Sequence, residues 1–140
     1  MRKSIAMLAI AAAPALADVT VKDAWVRGTV PAQKSTGAFL TLTSSEDAKV
    51  VSVNSPIAGM AEIHISEQKG GVMHMHALDA LLLPAGKAVE LKPGGSHIML
   101  MQLTKPVAAN EPVPLMLTIE DAKGKRTTVE VKAEVRPLGR

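Results

Sequence analysis

The side chains able to bind a soft metal ion are concentrated between Met60 and Met101. All four histidines of the 140-residue chain lie in this window, with five of its eight methionines, and the chain contains no cysteine. Thioether sulfur and imidazole nitrogen together favour a soft monovalent ion, above all Cu(I). A thiol-free site also suits an oxidising compartment, because it cannot be lost to disulfide formation. The candidate ligands are His64, His74, His76, His97, Met60, Met73, Met75, Met99 and Met101.

The segment His97-Ile98-Met99 shows how a β-strand would present such ligands. Side chains alternate between the two faces of a strand, so His97 and Met99 would share one face, about 7 Å apart along the strand. Ile98 and Leu100 would then point into the core. Taken alone, such a segment is weak evidence, since a single methionine often fills a gap in a core. The combination of histidine and methionine at same-face positions is what favours a metal site.

Two further segments carry the same chemistry. Gly70-Gly71 predicts a hairpin turn, and just after it Met73 and Met75 form a second same-face pair, which leaves His74 and His76 on the opposite face. His64 falls on a third predicted strand. His74 and His76 could offer auxiliary Cu(II) binding, but ordinary solvated surface is the favoured interpretation because they alternate away from Met75.

Short segments with alternate apolar residues, separated by glycine and proline turns, run along the rest of the chain. After the first seventeen residues, no segment shows a sustained helical period. This spacing is typical of an antiparallel β-sandwich or barrel, with an aliphatic core and Trp25 and Phe39 as its only large rings. The main segments are 19–21, 24–26, 37–43, 49–53, 61–66, 89–91, 97–103, 113–120 and 127–135.

The first seventeen residues have the pattern of a secretory signal. Arg2 and Lys3 precede an apolar run, and Ala15-Leu16-Ala17 forms a small-residue cleavage site. The run is too short to span a bilayer. We therefore predict a signal peptide over residues 1–17, cleavage after Ala17, and one domain over residues 18–140. Because no cysteine follows the cleavage site, we expect no lipid or membrane anchor, and a periplasmic location is the simplest.

The charge of the chain excludes one class of partner. Without Arg2 and Lys3 the sixteen basic residues fall to fourteen, against thirteen acidic ones, a net charge of +1. No basic run is interleaved with aromatic residues, so nucleic acid is not an expected partner. Nothing in the pattern requires a dimer, and we expect a monomer.

The spacing of four of the candidate ligands resembles that of the PCu(A)C periplasmic copper chaperone family. Ten residues separate His64 from Met75, and twenty-one separate Met75 from His97. A single residue separates His97 from Met99. The neighbouring words GMAEIH, GGVMHM and PGGSHIMLM, and the earlier AWVR and GAF, are also similar to the family. The resemblance covers essentially all of residues 19–132.

The resemblance implies a cupredoxin-like Greek-key antiparallel β-sandwich. It implies one Cu(I) ion held by His64, Met75, His97 and Met99. It also implies transient contact with cytochrome c oxidase subunit II or a Sco-type thiol protein, during assembly of the oxidase copper centre. Many members have a methionine directly after the first histidine, where this chain has Ile65, and some have a tail rich in histidine and methionine that this sequence lacks.

The function predicted from the sequence is therefore that of a Cu(I) metallochaperone that passes its ion on by ligand exchange. A copper-buffering or resistance protein, and a structural exported β-sandwich with a methionine-rich core, remain alternatives. A blue-copper protein is excluded, because such sites need a cysteine thiolate. An enzyme would use His64 or His97 with Glu62, but no nucleophile motif accompanies them, so we expect no enzymatic activity.

Overall fold

Ten β-strands and no helix make up the part of the chain that the computed structural model describes, residues 18–137 without the side chains of Glu67 and Gln68. The predicted signal peptide, residues 1–17, lies outside the described residues. Over residues 18–137 no helix is long and apolar enough to cross a bilayer. The strands are β1 (Val19–Arg27), β2 (Ser35–Ser44), β3 (Ala48–Asn54), β4 (Ala58–Lys69), β5 (Val72–Leu78), β6 (Leu81–Leu83), β7 (Ala88–Leu91), β8 (His97–Leu103), β9 (Val113–Asp121) and β10 (Arg126–Arg136).

The strands form two packed layers. The first sheet has the order β5-β4-β8-β2-β1, with β7 pairing β2 beyond the end of β8, and the second has the order β10-β9-β3-β6. Most neighbours are distant in sequence, as in a Greek key. β10 joins the layers, because its last residues pair with β1 and the rest pair with β9. An all-β sandwich is thus confirmed, although the β1–β10 pair is parallel where the sequence predicted an antiparallel fold.

Both sheets contribute alternate residues to an aliphatic core. Along β2 and β8, for example, Leu40, Leu42, Ile98 and Leu100 are all 2 % exposed or less. None of the methionines among residues 18–137 belongs to this core or packs directly against it. The alternative of a methionine-padded core is therefore wrong for these residues, and their side chains lie on the outer faces of the sheets.

A β-bulge in β1 decides which face Trp25 occupies. The register with β2 shifts between Lys22 and Trp25, and Asp23 has a φ of 54° at this point. The extra residue turns the rest of the strand over, so that Val26 enters the core and Trp25 pairs with Phe39 on the outer face. The prediction that Trp25 packs in the core is wrong, because the bulge reverses the expected alternation, whereas Phe39 is buried as predicted, with 3 % exposure, and packs against the Trp25 ring.

A two-residue turn sets the register of the β4–β5 hairpin. Gly70 and Gly71 have φ values of 59° and 81°, which is the conformation of the tight hairpin turn that glycine adopts without strain. Lys69 therefore pairs with Val72, and each earlier residue of β4 back to Ile63 pairs with a later residue of β5. The Gly-Gly signal in the sequence predicted this hairpin, and the structure confirms it.

Candidate metal centre

The predicted ligands from β4 and β8 lie side by side on one face of the first sheet. His64 is the cross-strand partner of His97, and Glu62 is the partner of Met99. Directly opposed residues share a face, so all four side chains project from the same surface. We call this outer surface of β5, β4 and β8 the site face. Ile98, between His97 and Met99, is 1 % exposed and points into the core, as the sequence predicted.

Met75 reaches the same face from β5. It pairs with Ser66, which is two residues from His64 on β4, so Met75 lies one diagonal step from that histidine. Its side chain is 50 % exposed. His74 and His76 alternate to the opposite face of β5. All four residues of the predicted ligand set thus lie on the site face, and these two histidines do not.

One nitrogen of His64 is buried without a partner. Its Nε2 lies 3.0 Å from Oε1 of Glu62, and its Nδ1 is the one buried side-chain nitrogen or oxygen among the described residues without a hydrogen-bond partner. A carboxylate accepts hydrogen bonds, so Nε2–H donates and the Nδ1 lone pair is left over. An orphaned buried acceptor costs stability, and a metal ion would satisfy this one.

His97 is held in the opposite way. It begins β8 just after a tight turn in which Pro93 and Gly94 occupy the central positions, with φ of 84° at Gly94 and the Gly95 N–H donating to the Lys92 carbonyl over 2.9 Å. The turn presents the Gly95 carbonyl to His97 Nδ1 at 3.2 Å. A carbonyl can only accept, so Nδ1–H donates and Nε2 keeps its lone pair for a ligand.

Four rings follow one another across the sheet. The ring centroids of His64 and His97 are 5.8 Å apart, those of His97 and Phe39 6.1 Å, and those of Phe39 and Trp25 4.5 Å. The two aromatic rings flank the histidine pair on the side away from β5. His97 is 8 % exposed, so its ring is fixed by its neighbours rather than free in solvent.

A cleft of about 350 Å³ opens beside the rings. Met75, His97 and Met99 line it, together with Phe39 and Arg27, while the His64 ring adjoins it next to His97. The position of Phe39 in its lining depends on the absence of a side chain at Gly37. A Cβ on Gly37 would stand 3.0 Å from the Phe39 Cζ atom, tighter than ordinary packing allows. The glycine therefore lets the phenylalanine ring, which lines the cleft, lie close against the backbone of Gly37.

The donor set of this region is soft. Among residues 18–137 no group of three histidine, cysteine, aspartate or glutamate side chains is placed to hold a metal ion. A metal site on the site face would therefore draw on thioether sulfur as well as imidazole nitrogen, a combination that suits Cu(I). Sequence reasoning missed the supporting roles of Glu62 and the Gly95 carbonyl. The same-face spacing of Glu62 and His64 was the one signal that could have pointed to the first.

Fold and site together define a cupredoxin-like β-sandwich that gathers histidine and methionine on the outer face of one sheet. The sequence model of the family described as "Putative lipoprotein LpqE-like" matches residues 19–134. The chain belongs to this family, which is the PCu(A)C family that the spacing of its ligands resembles. It is similar to "Putative lipoprotein Lxx21020" of Leifsonia xyli subsp. xyli, with 33 % identity over 115 residues, covering 81 % of this chain and 69 % of the relative. Both descriptions name a lipoprotein, so the absence of a lipid anchor stays a prediction.

Solved structures share the fold. The solution structure of Cu(I)-bound DR1885 from Deinococcus radiodurans has a TM-score of 0.65 and 31 % identity, covering 90 % of this chain and 83 % of that one. The copper-bound PCuAC domain from PmoF2 has a TM-score of 0.63 and 18 % identity, covering 84 % and 93 %, and at that identity it supports the fold alone. The roles of His64, Met75, His97 and Met99 as ligands stay a prediction.

Proposed function

We propose that this protein is an exported Cu(I) metallochaperone. It holds one ion through His64, Met75, His97 and Met99, and it passes the ion to a thiol-bearing acceptor in the periplasm. The oxidase copper centre is the destination that the family resemblance implies, through cytochrome c oxidase subunit II or a Sco-type protein. Family membership and the likeness to Cu(I)-bound DR1885 support copper as the cargo.

The unpartnered Nδ1 of His64 is the single observation that carries the proposal. A buried nitrogen acceptor with no hydrogen bond costs about 1–3 kcal/mol, which a purely structural histidine would have no reason to retain. The histidine opposite it also has one nitrogen engaged by a fixed acceptor and the other left for a ligand. Two available imidazole nitrogens on adjacent strands, beside two thioethers, match the coordination preferences of Cu(I).

The chemistry of the ligands supports transfer rather than permanent storage. Thioether and neutral imidazole add no negative charge, so the positive charge of a bound Cu(I) is not neutralised by its ligands. A thiolate acceptor supplies that charge. The four bonds from thioether and imidazole to copper break as two Cu–S(thiolate) bonds form, the proton of each thiol passes to solvent, and copper remains Cu(I) throughout. Half-exposed Met75 is the ligand that such an acceptor can displace from the ion most readily.

X-ray absorption of the Cu(I)-loaded protein tests the coordination directly. We expect one ion per chain, with two sulfur and two nitrogen neighbours. A spectrum with nitrogen and oxygen neighbours only would contradict the proposed ligand set.

Methionine variants separate ligands from packing residues. Met75→Leu and Met99→Leu should each lower Cu(I) affinity by roughly tenfold to a hundredfold or more, since even supporting residues of metal sites reach that range. The β-sheet signal should stay unchanged, because neither methionine is part of the core. Met116→Leu is the matched control, since Met116 lies on β9 in the other sheet. Wild-type Cu(I) affinity in Met75→Leu and Met99→Leu, as in the control, would refute the assignment.

Delivery and buffering share one site and differ in phenotype. Loss of the gene should impair oxidase assembly at low copper if the protein delivers the ion. Normal oxidase assembly combined with sensitivity to excess copper would instead favour the buffering alternative.

A further inference from the structure

Among the described residues, Arg27 is the one arginine or lysine that lines the cleft beside the predicted ligands. The bulge in β1 that places Trp25 on the outer face also brings Arg27 there, and the Thr36 hydroxyl fixes the backbone of Arg27 by donating to its carbonyl over 2.7 Å. Its guanidinium carbon lies 5.4 Å from the Phe39 ring centroid and 6.0 Å from that of Trp25. The aromatic rings thus orient a positive charge along the cleft wall.

The charge of Arg27 is not balanced by any carboxylate that the structure describes. None of the carboxylates described by the structure forms an ion pair with it, whereas its neighbour Arg136 donates to Glu134 over 3.0 Å. The Arg27 side chain is also exposed to solvent. A guanidinium with no carboxylate partner, fixed on aromatic rings at the edge of a cleft, is suited to receive a carboxylate from outside.

A bound copper ion would add to the positive charge that Arg27 brings to the cleft. The four predicted ligands are neutral when they coordinate, so a Cu(I) ion adds one positive charge to a cleft that already contains Arg27. Gly37 lies between the strand positions of Arg27 and Met99 and has no side chain to separate them. An acceptor segment that enters here therefore meets the ion and the guanidinium together.

We propose, on the basis of the proposed function, that Arg27 selects the acceptor protein. The acceptor is one that carries an aspartate or glutamate next to its copper-accepting cysteine. The cysteine thiolate attacks the ion, and the adjacent carboxylate pairs with the Arg27 guanidinium. The pairing places the sulfur in the cleft and raises the rate of transfer without contributing a ligand.

The experiment measures Cu(I) transfer from the loaded protein to synthetic dithiol peptides under anaerobic conditions. The peptides differ at one position beside a cysteine, which is glutamate, glutamine or lysine. Wild-type protein should transfer to the glutamate peptide about threefold to tenfold faster than to the glutamine peptide, as expected for a solvent-screened charge pair about 4 Å apart. High salt should reduce this preference.

Variants at one position make the result specific. Arg27→Gln should abolish the preference for glutamate, Arg27→Lys should keep part of it, and Arg27→Glu should reverse it in favour of the lysine peptide. Arg136→Gln is the matched control: it stands 4.5 Å over the same tryptophan ring but already has a carboxylate partner, and it should leave the preference intact.

The possible failures are distinguishable. If wild type does not bind Cu(I), the proposed function itself is wrong. If wild type binds and transfers Cu(I) but Arg27→Gln and Arg27→Glu keep the wild-type order of peptides, the role of Arg27 is refuted. The same conclusion follows if Arg136→Gln removes the preference as fully as Arg27→Gln.

Discussion

Replacing Glu62 with glutamine tests how the protein prepares its two histidines. Glu62 Oε1 accepts from His64 Nε2 at 3.0 Å, and the Gly95 carbonyl accepts from His97 Nδ1 at 3.2 Å. The neutral rings should therefore be opposite tautomers, with the proton on Nε2 in His64 and on Nδ1 in His97. Glu62→Gln keeps the shape of the side chain but removes the negative charge that favours the His64 tautomer with its proton on Nε2.

The size of the effect follows from the distance and the exposure of Glu62. The carboxylate would lie about 6 Å from an ion on the far nitrogen of the ring, an attraction of about 0.7 kcal/mol in water and about 2.8 kcal/mol at an effective dielectric of ~20. The Glu62 side chain is 40 % exposed, so screening places the value between these limits. We expect about 1.4 kcal/mol, a tenfold loss of Cu(I) affinity, which lies in the range for hydrogen-bond partners of metal ligands.

Competition against a chromophoric Cu(I) chelator measures the affinity. Long-range nitrogen–proton NMR of the copper-free protein reads the two tautomers. Glu90→Gln is the matched control, because Glu90 lies on β7, away from the ligands, and pairs only loosely with Lys92 at 3.9 Å. The control should keep both wild-type tautomers and wild-type affinity.

Two results would refute this reasoning. One is a pair of identical tautomers in the wild-type protein, which would mean that the two acceptors do not set the rings. The other is a Glu62→Gln affinity within about twofold of wild type, well below the Coulombic expectation, in a protein whose His64→Ala variant has lost copper binding.

Three further outcomes can be checked. His64→Leu should leave the copper-free protein as stable as wild type or up to about 1 kcal/mol more stable, because it removes an unpartnered nitrogen, whereas His97→Leu should cost about 1 kcal/mol through its lost hydrogen bond; urea denaturation measures both, and the reverse order would contradict the assignment. Gly37→Ala should push the Phe39 ring into the cleft at a cost of about 1 kcal/mol and weaken Cu(I) binding, seen by denaturation and chelator competition, with unchanged affinity as the contrary result. The hydrogen bond from Arg126 lowers the pKa of Glu120 below 4.5. The ionised carboxylate therefore stabilises the fold above pH 4.5, and this stabilisation is lost as the pH falls through the lowered pKa. Glu120→Gln should therefore unfold in less urea than wild type near pH 7, the gap should narrow as the pH falls below 4.5, and a gap that stays constant in acid would refute this origin.

The local pattern of the sequence was sufficient for those parts of the site that depend on alternation within one strand. His97 and Met99 share a face, and Ile98 lies in the core, because a regular strand has a period of two. The Gly70-Gly71 turn was also legible, since glycine is the residue that takes positive φ at both turn positions. These features needed no knowledge of the rest of the chain.

The remaining features depend on contacts between distant segments. The opposition of His64 and His97 arises from the pairing of β4 with β8, which no local pattern specifies. The outer position of Trp25 comes from one extra residue at the bulge, and Arg27 reaches the cleft for the same reason. A bulge is an irregularity of pairing, so it cannot be read from the spacing of apolar residues.

Met75 differs from the other three predicted ligands in the mechanical support of its strand. β4 and β8 each have a hydrogen-bonded strand on both sides, whereas β5 ends the described sheet and is held by β4 alone. Edge strands open at lower free energy than interior ones, so Met75 can swing away while the histidine pair and Met99 stay in place. Release of the ion would therefore begin with dissociation of Met75, while the three ligands on interior strands still hold it.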